Sequence, residues 1–465
     1  MITSTQSIIA SCAAAVAIAA ATQGVLVEWQ RRKFQAINAV TFLWLGVAYF
    51  VGAGAIAAAF FYTRAANNFG VRASLFGFAA VCAGILGVAL GTQSRFGYLL
   101  PRLTHLEAGS IPRIDWWFTA LALLGVALVA RYLAYGRDFL IGSANAELPT
   151  TWGNYVNDLR HAMLPAGLVA VHLLRGSRGR ALLEKIILSA ILVIAAIYSV
   201  LQYSRRPLVL LVMGTFVYLV HAKKPQLGHF RSRYLLVPVA IAGLFAIVLF
   251  AAGFRWLALR LGVPLDWNLL LLAFKSQGPG ALNLDAYAVH LASVSWYSDA
   301  SDWLTGGSFV QVLSNPIPRS LWSGKPESFG FTIAKLMGNY GTNYGPTIFG
   351  EGYANFGFFG SLLFGWMLGL CARVVQQYQE IFRSEYALVL TSMVSFEFFS
   401  QVRGDLQGMT TPLIERVALL AVAVWSVTWL GGRIRNYALA RNSTPKANHG
   451  DNGGRKQAKQ EGSRE

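Results

Sequence analysis

The fold class is decided by the stretch PTIFGEGYANFGFFGSLLFGWMLG, residues 346–369. It is long and apolar enough to cross a hydrocarbon core about 30 Å thick. Similar apolar stretches recur on both sides of it, and together they predict eleven membrane spans. The spans lie near residues 7–27, 38–61, 74–93, 116–134, 161–175, 183–203, 207–221, 234–254, 346–372, 386–400 and 410–430.

The composition points the same way. Hydrophobic residues make up 55% of the 465 residues, charged residues make up 13%, and the formal net charge is +18. A soluble chain carries about 25% charged residues. These values exclude a disordered tail, a disulfide-rich secreted module and an ordinary cytosolic enzyme. They predict an all-α polytopic membrane protein with about 11 transmembrane helices, whose basic loops contact anionic lipid and not nucleic acid.

The charge pattern also predicts the orientation of the chain. The segment before the first span, MITSTQS, has no basic residue, whereas Arg31, Arg32 and Lys33 follow that span. The N-terminus is therefore expected outside, and alternation then places 24 of the 39 Lys and Arg residues on the cytoplasmic side. We expect an integral membrane domain over residues 1–435 and a basic, disordered cytoplasmic tail over 436–465.

One predicted outer loop is much longer than the others. Residues 255–345, between spans eight and nine, hold five of the thirteen Trp residues and several Gly- and Pro-rich turns. A structureless loop of this length is unusual, so we expect a folded extracytoplasmic unit. Within it, 265–274 is typical of a short interfacial helix and 281–297 of an amphipathic helix.

Several ionisable residues lie at the predicted outer ends of the spans. Because such residues are costly in a membrane, a group of them on one face suggests a polar cavity open to the outside. Two alternatives remain open: the arginines could snorkel to lipid phosphates, and Glu397 could form a buried structural ion pair with Glu415-Arg416. The group is Arg205, Arg206, Glu351, Glu397, Arg403, Asp405, Glu415 and Arg416.

Motifs of soluble enzymes are missing from the sequence. It has no P-loop, no Gly-rich dinucleotide fingerprint, no HExxH and no clustered Cys/His site. We therefore expect chemistry without a nucleotide, a cofactor or a required metal. Aromatic side chains beside carboxylates and arginines suit a glycan, whose apolar faces pack on aromatic rings while its hydroxyls need hydrogen bonds.

Several elements of the C-terminal part together resemble the oligosaccharide repeat-unit polymerases, the Wzy-type O-antigen and exopolysaccharide polymerases. Two are the stretches IPRSLWSGKPESFG (317–330) and 346–369. The others are Asp285 within LNLDAYAVH, the Gly turn at 305–307, the turn at 403–405 and the SRRP turn at 204–207, which holds Arg205 and Arg206. An Arg-x10-Gly spacing, Arg319 to Gly330, adds weak support, since chance alone produces such pairs.

The resemblance implies a GT-C-like membrane enzyme that joins undecaprenyl-pyrophosphate-linked repeat units on the outer face of the bacterial inner membrane. Its partners would be these lipid-linked glycans, membrane lipids and a chain-length-regulating membrane protein. Guanidinium groups would bind the pyrophosphate, and a carboxylate or neutral histidine would accept the proton of the acceptor hydroxyl. The implied pyrophosphate ligands are Arg205, Arg206, Arg319, Arg403 and Lys325. The favoured base is Glu351, with Asp285 and His290 in reserve, and the acceptor site would be lined by Trp322, Tyr353 and Asn355.

Two other functions fit the same topology. An O-antigen ligase-type transferase moves a finished glycan from the same lipid carrier and would use the same arginines. A flippase or transporter of lipid-linked sugars would need charges through the membrane midplane, whereas the charges here lie at the predicted outer ends.

Overall fold

The computed structural model describes residues 4–32, 37–60, 69–97, 115–135, 158–176, 181–201, 205–222, 284–315, 317, 321–339, 343–382 and 384–443. Every regular element within these ranges is helical. The prediction of an all-α chain is therefore confirmed. The predicted span at 234–254, the predicted helix at 265–274 and the tail after Ser443 lie outside the described residues.

In the described part of the chain, seven helices precede the predicted outer loop. A 3-10 turn, Leu159–Ala162, leads directly into the fifth, and a π-helical turn, Val47–Ala53, lies inside the second. The seven are α1 (Ser4–Arg32), α2 (Ala39–Phe60), α3 (Val71–Gln93), α4 (Trp116–Tyr135), α5 (Met163–Arg175), α6 (Leu182–Leu201) and α7 (Arg205–Ala222).

Seven more helices follow in the described part of the chain. Three are short and belong to the predicted outer loop: α8 (Ala286–Trp296), α9 (Gly307–Ser314) and α10 (Phe329–Leu336). The last four are α11 (Ile348–Ile381), α12 (Glu385–Ser395), α13 (Glu397–Gln401) and α14 (Leu406–Ser443).

Seven of the described helices are long and apolar enough to cross a membrane, namely α1 to α4, α6, α11 and α14. Three predicted spans correspond to shorter helices. The span at 161–175 is the 13-residue α5, the span at 207–221 is α7, and the span at 386–400 is divided between α12 and α13. The chain is thus a multi-pass membrane protein, and the number eleven stays a prediction.

The predicted span at 346–372 is not one straight helix. Helical geometry breaks at Phe356 and Gly357, where the glycine has φ 63°. After the break the chain reverses direction. This is shown by a 2.9 Å hydrogen bond that Ser361 Oγ donates to the carbonyl of Phe349. In an unbroken helix these residues would be about 18 Å apart. α11 is therefore a helical hairpin, with a short arm 348–355 lying against the start of the long arm 358–381.

Glycines make the hairpin possible. A Cβ on Gly360 would lie 1.9 Å from the carbonyl oxygen of Gly352, and one on Gly352 would lie 2.5 Å from that of Gly360. Gly357 adopts a left-handed conformation that other residues rarely tolerate. Hydropathy alone cannot reveal this turn, because both arms are apolar.

Gly360→Ala is expected to destabilise the hairpin strongly, because the added methyl meets backbone that cannot move aside. Overpacking of this kind costs about 1–3 kcal/mol or more. The matched control is Gly125→Ala in α4, where nothing lies within 4 Å of the added atom. Thermal unfolding of both variants in detergent checks the prediction, and equal midpoints would show that the two arms do not touch.

Small residues also bring α3 against the long arm of α11. A Cβ on Gly365 would lie 2.2 Å from the carbonyl oxygen of Gly84, and one on Gly369 would lie 2.5 Å from that of Val88. Such contacts let two helix backbones approach closely in a membrane. Because residue numbers rise together along both helices, α3 and the long arm run parallel, as alternation predicts for spans three and nine.

The ends that alternation places on the cytoplasmic side contact one another. Arg373 Nη1 lies 3.6 Å from Glu28 Oε1, joining the ends of α11 and α1. Glu385 Oε2 accepts a 2.8 Å hydrogen bond from Trp116 Nε1 and lies 3.4 Å from His172 Nε2. These contacts support the predicted alternation, while the side on which each terminus lies stays a prediction.

The helix predicted at 281–297 forms over a shorter range, and its predicted amphipathic character is wrong. Residues 286–294 of α8 are buried all round. The helix packs between α2, α3 and α11, and a second small apolar core joins it to α10 around Phe329. The described part of the loop thus packs onto the membrane helices.

Candidate functional site

The N-terminal turn of α14 receives two carboxylates. Leu406 N donates a 2.6 Å hydrogen bond to Glu351 Oε2. Asp405 caps the helix, since its Oδ1 accepts from Gly408 N at 2.7 Å, and its Oδ2 accepts from Gly330 N at 3.0 Å. The first backbone N–H groups of a helix have no partner within it and attract negative charge. The turn therefore fixes the α11 hairpin and α10 at one point.

Glu351 is enclosed at this point. The residue is 0% exposed, and its Oε1 has no hydrogen-bond partner among the described residues. An acceptor hydroxyl arriving from solvent cannot reach it in this arrangement. The geometry therefore favours a positioning role for Glu351, because its other oxygen holds the start of α14.

A second carboxylate lies between two guanidinium groups. Arg206 donates to Glu397 Oε2 from Nη2 at 2.6 Å and from Nε at 3.1 Å, and Arg416 Nη1 contacts Oε1 of the same carboxylate. Arg206 also donates to the carbonyl of Gly408 at 3.2 Å. The ion pair of Glu397 and Arg416, one of the two alternatives from the sequence, is confirmed. Two arginines share this one carboxylate, and the Asp405 carboxylate also acts on Arg206.

The two arginines of this pair differ in access. The side chain of Arg416 is 3% exposed, whereas that of Arg206 is 31% exposed. Arg206 therefore holds Glu397 and the Gly408 carbonyl with its guanidinium group, while its side chain stays partly exposed. An anion from solvent could contact Arg206 directly. Arg416 is buried and could attract the anion only electrostatically, without contact.

Asp285 and Arg403 form the accessible pair of the site. Arg403 Nη2 lies 3.3 Å from Asp285 Oδ1, and their side chains are 27% and 22% exposed. Arg403 lies over Gly345, where a Cβ would come within 2.8 Å of its Cγ. Burial and the Asp285 carboxylate raise the pKa of the Tyr344 phenol. The site thus contains an accessible carboxylate beside a guanidinium group and a protonated phenol.

Lys325 belongs to a loop that is tied to the same turn. Its Nζ donates to the carbonyls of Asn315 at 2.7 Å and Ile317 at 3.1 Å. Asn315 in turn donates to Thr411 Oγ1 at 2.8 Å and accepts from Gln407 Nε2 at 2.6 Å. These bonds bring the loop after α9 onto the first turns of α14.

These contacts bring together six of the eight residues grouped from the sequence, namely Arg206, Glu351, Glu397, Arg403, Asp405 and Arg416. We call the group around the start of α14, on the side that the sequence predicts to face outward, the outer polar cluster. It consists of Arg206, Asp285, Lys325, Glu351, Glu397, Arg403, Asp405 and Arg416.

His290 has both ring nitrogens occupied by contacts within the protein. Nε2 contacts the carbonyl of Gly77 at 3.0 Å, so it carries the proton, and Nδ1 accepts from Thr347 Oγ1 at 2.7 Å. Burial lowers the pKa of His290 to about 4. The imidazole joins α3, α8 and the start of α11, which is a structural arrangement.

Two predicted acceptor-site residues also point elsewhere. Asn355 is fully buried and holds α9, donating from Nδ2 to Ser308 Oγ at 2.8 Å and accepting at Oδ1 from Ser308 N at 3.3 Å. Tyr353 is 2% exposed and packs with Ala80 and Val294. Neither side chain lines an open surface in this structure.

Three predicted site residues remain, namely Trp322, Arg205 and Arg319. Trp322 is 37% exposed at the surface of the loop that carries Lys325. Arg205 is the first residue of α7, and its side chain lies outside the described part of the chain, as does the whole of Arg319.

The comparison with protein families identifies the segment that carries much of this site. Residues 311–397 match the family model described as "Putative O-antigen polymerase". This segment is therefore similar to the O-antigen polymerases, and we call it the O-antigen polymerase segment. No curated protein and no solved structure matches the chain.

The O-antigen polymerase segment confirms the resemblance found in the sequence and supports a role in polymerising polysaccharide repeat units. It contains the Lys325 loop, the α11 hairpin with Glu351, and Glu397. Asp285, Arg206 and Arg403 lie outside it and reach it through the contacts described above. In the tertiary structure, these three partly exposed charged residues therefore lie beside the O-antigen polymerase segment.

One group near the site was missed from the sequence. Asp158, His161 and Glu415 bring their ligand atoms within 4.8 Å of one another. The available signal was Asp-x-x-His at 158–161, because residues three apart share a face of a helical turn. Glu415 comes from α14 and could be added only by the fold.

Proposed function

We propose that the protein polymerises oligosaccharide repeat units that are linked to undecaprenyl pyrophosphate. The product would be a surface polysaccharide, such as an O-antigen, a capsule or an exopolysaccharide, built on the outer face of the bacterial inner membrane. The single observation that carries the proposal is the outer polar cluster, which joins accessible arginines and a carboxylate to the O-antigen polymerase segment.

The proposed reaction transfers the growing chain to an incoming unit. A hydroxyl oxygen of the acceptor sugar attacks the anomeric carbon of the donor, and the bond between that carbon and the phosphate oxygen breaks. The departing undecaprenyl pyrophosphate takes the electron pair, and the hydroxyl proton passes to a carboxylate. The change therefore needs cationic donors at the leaving group and a base at the acceptor.

The geometry supports assigning Arg206 and Arg403 to the pyrophosphate. Both side chains are partly exposed, and Lys325 lies on the loop bonded to the same helix turn. Guanidinium groups bind phosphate oxygens in a bidentate manner and stabilise the charge that develops on departure. Arg205 and Arg319 remain proposed pyrophosphate ligands on the strength of the sequence alone.

We assign the base to Asp285 rather than to Glu351, which the sequence favoured. Asp285 is partly exposed and beside Arg403, whereas Glu351 is sealed and holds α14. Trp322 remains a proposed acceptor contact, since an exposed indole can pack on a sugar face. A chain-length-regulating membrane protein remains a proposed partner.

Deletion of the gene, followed by gel analysis of the glycan, tests the function. Loss of a polymerase is expected to leave a single repeat unit on the final acceptor, and plasmid-borne protein should restore the ladder. Loss of an O-antigen ligase-type transferase would leave the acceptor bare. Loss of a flippase would trap lipid-linked units on the cytoplasmic face, and either of these outcomes would overturn the proposal.

A further inference from the structure

Three metal-ligating side chains meet beside the outer polar cluster. Asp158 directly precedes the 3-10 turn Leu159–Ala162, His161 belongs to that turn, and Glu415 lies on α14. In a 3-10 turn the side chains at i and i+3 eclipse, so Asp158 and His161 project on the same side. Packing of this turn on α14 brings the third side chain to them.

The spacing of the ligand atoms suits a metal ion. All three atoms lie within 4.8 Å of one another, and His161 Nε2 is 3.5 Å from Glu415 Oε2. Bonds of about 2.0–2.2 Å around a tetrahedral cation separate its ligands by about 3.4 Å. Only a small contraction would therefore complete the coordination.

The surroundings leave these side chains available to a cation. The side chains of His161 and Glu415 are 14% and 24% exposed, so the group is sheltered yet reachable. Within the described part of the chain, no protein N–H or O–H donates a hydrogen bond of normal length to either carboxylate. Half-buried carboxylates usually have such donors, and their absence leaves lone pairs for another ligand.

We propose that Asp158, His161 and Glu415 form a binding site for a divalent transition-metal cation. One imidazole and two carboxylates suit Mn²⁺ or Zn²⁺ better than Mg²⁺ or Ca²⁺, which prefer oxygen ligands alone. Three protein ligands leave a coordination position open. The site goes beyond the expectation of chemistry without a required metal, and it does not depend on the proposed polymerase function.

The test measures Mn²⁺ binding by the purified full-length protein in detergent. Electron paramagnetic resonance detects the Mn²⁺ that remains free. The wild-type protein is expected to bind one Mn²⁺ per chain, with Zn²⁺ competing. Asp158→Asn, His161→Ala and Glu415→Gln should each weaken binding by about tenfold or more, a loss of about 1.4 kcal/mol or more. The matched control is Glu327→Gln, whose carboxylate pairs with Lys335 on the loop surface.

The proposal would be overturned if the wild-type protein bound no stoichiometric Mn²⁺. It would also be overturned if Asp158→Asn and Glu415→Gln bound Mn²⁺ as tightly as the wild type. Thermal unfolding monitored by tryptophan fluorescence separates lost binding from lost folding. Mn²⁺ should raise the unfolding temperature of the wild type but not that of a folded Glu415→Gln variant. This difference would show that the variant has lost binding and not its fold. No glycan is present in this assay, so its failure is distinct from failure of the polymerase proposal.

Discussion

Asp285→Asn is expected to abolish formation of long glycan chains while the protein remains folded and present in the membrane. The substitution keeps the size of the side chain and its hydrogen bond with Arg403, and it removes the ability to accept a proton. Loss of a positioned base lowers rates by about 10²–10⁴-fold. The measurement is transfer between purified lipid-linked repeat units, supported by the glycan ladder in cells that lack the native gene.

The structural cost of this change should be small, because partly exposed ion pairs contribute about 0–1 kcal/mol. Asp299→Asn is the matched control, since Asp299 also pairs with an arginine, Arg72, at 3.6 Å, and both side chains are mostly exposed. Asp285→Glu should retain part of the activity. If Asp285 only oriented Arg403, Asp285→Asn would be nearly as active as the wild type, and the base would have to be sought elsewhere.

Glu397→Ala is expected to destabilise the protein more than removal of any surface charge. The buried carboxylate lies between Arg206 and Arg416, and its loss leaves Arg416 buried without a counter-ion. Breaking one side of a buried ion pair costs about 3–5 kcal/mol. Thermal unfolding in detergent and the amount of protein in the membrane would measure the loss.

Two variants sharpen this second prediction. Glu327→Ala removes a carboxylate that pairs with Lys335 near the surface, and its effect should be within about 1 kcal/mol. Adding Arg416→Leu to Glu397→Ala should recover part of the lost stability, because the uncompensated charge is then gone. The prediction would be wrong if Glu397→Ala and Glu327→Ala unfolded at the same temperature.

The sequence predicted the part of the site that depends on the order of the membrane spans along the chain. Alternation of the spans placed Arg206, Glu397 and Arg403 at one end of the helices, and their contacts confirm it. The ranking of the bases was not predictable, because accessibility is a property of packing. Glu351 and Asp285 are both carboxylates in the sequence, yet one is sealed beneath α14 and the other faces solvent.

The sequence by itself determined that this is an all-helical, multi-pass membrane protein with O-antigen polymerase features, because hydropathy, charge bias and local motifs act over short stretches of chain. The tertiary structure alone decided the α11 hairpin, since the glycines at 352 and 360 matter only when their backbones meet. It also decided the structural role of His290 and the meeting of Asp158 and His161 with Glu415, more than 250 residues away in the chain. Such contacts depend on which helix faces pack together, and local sequence does not specify that.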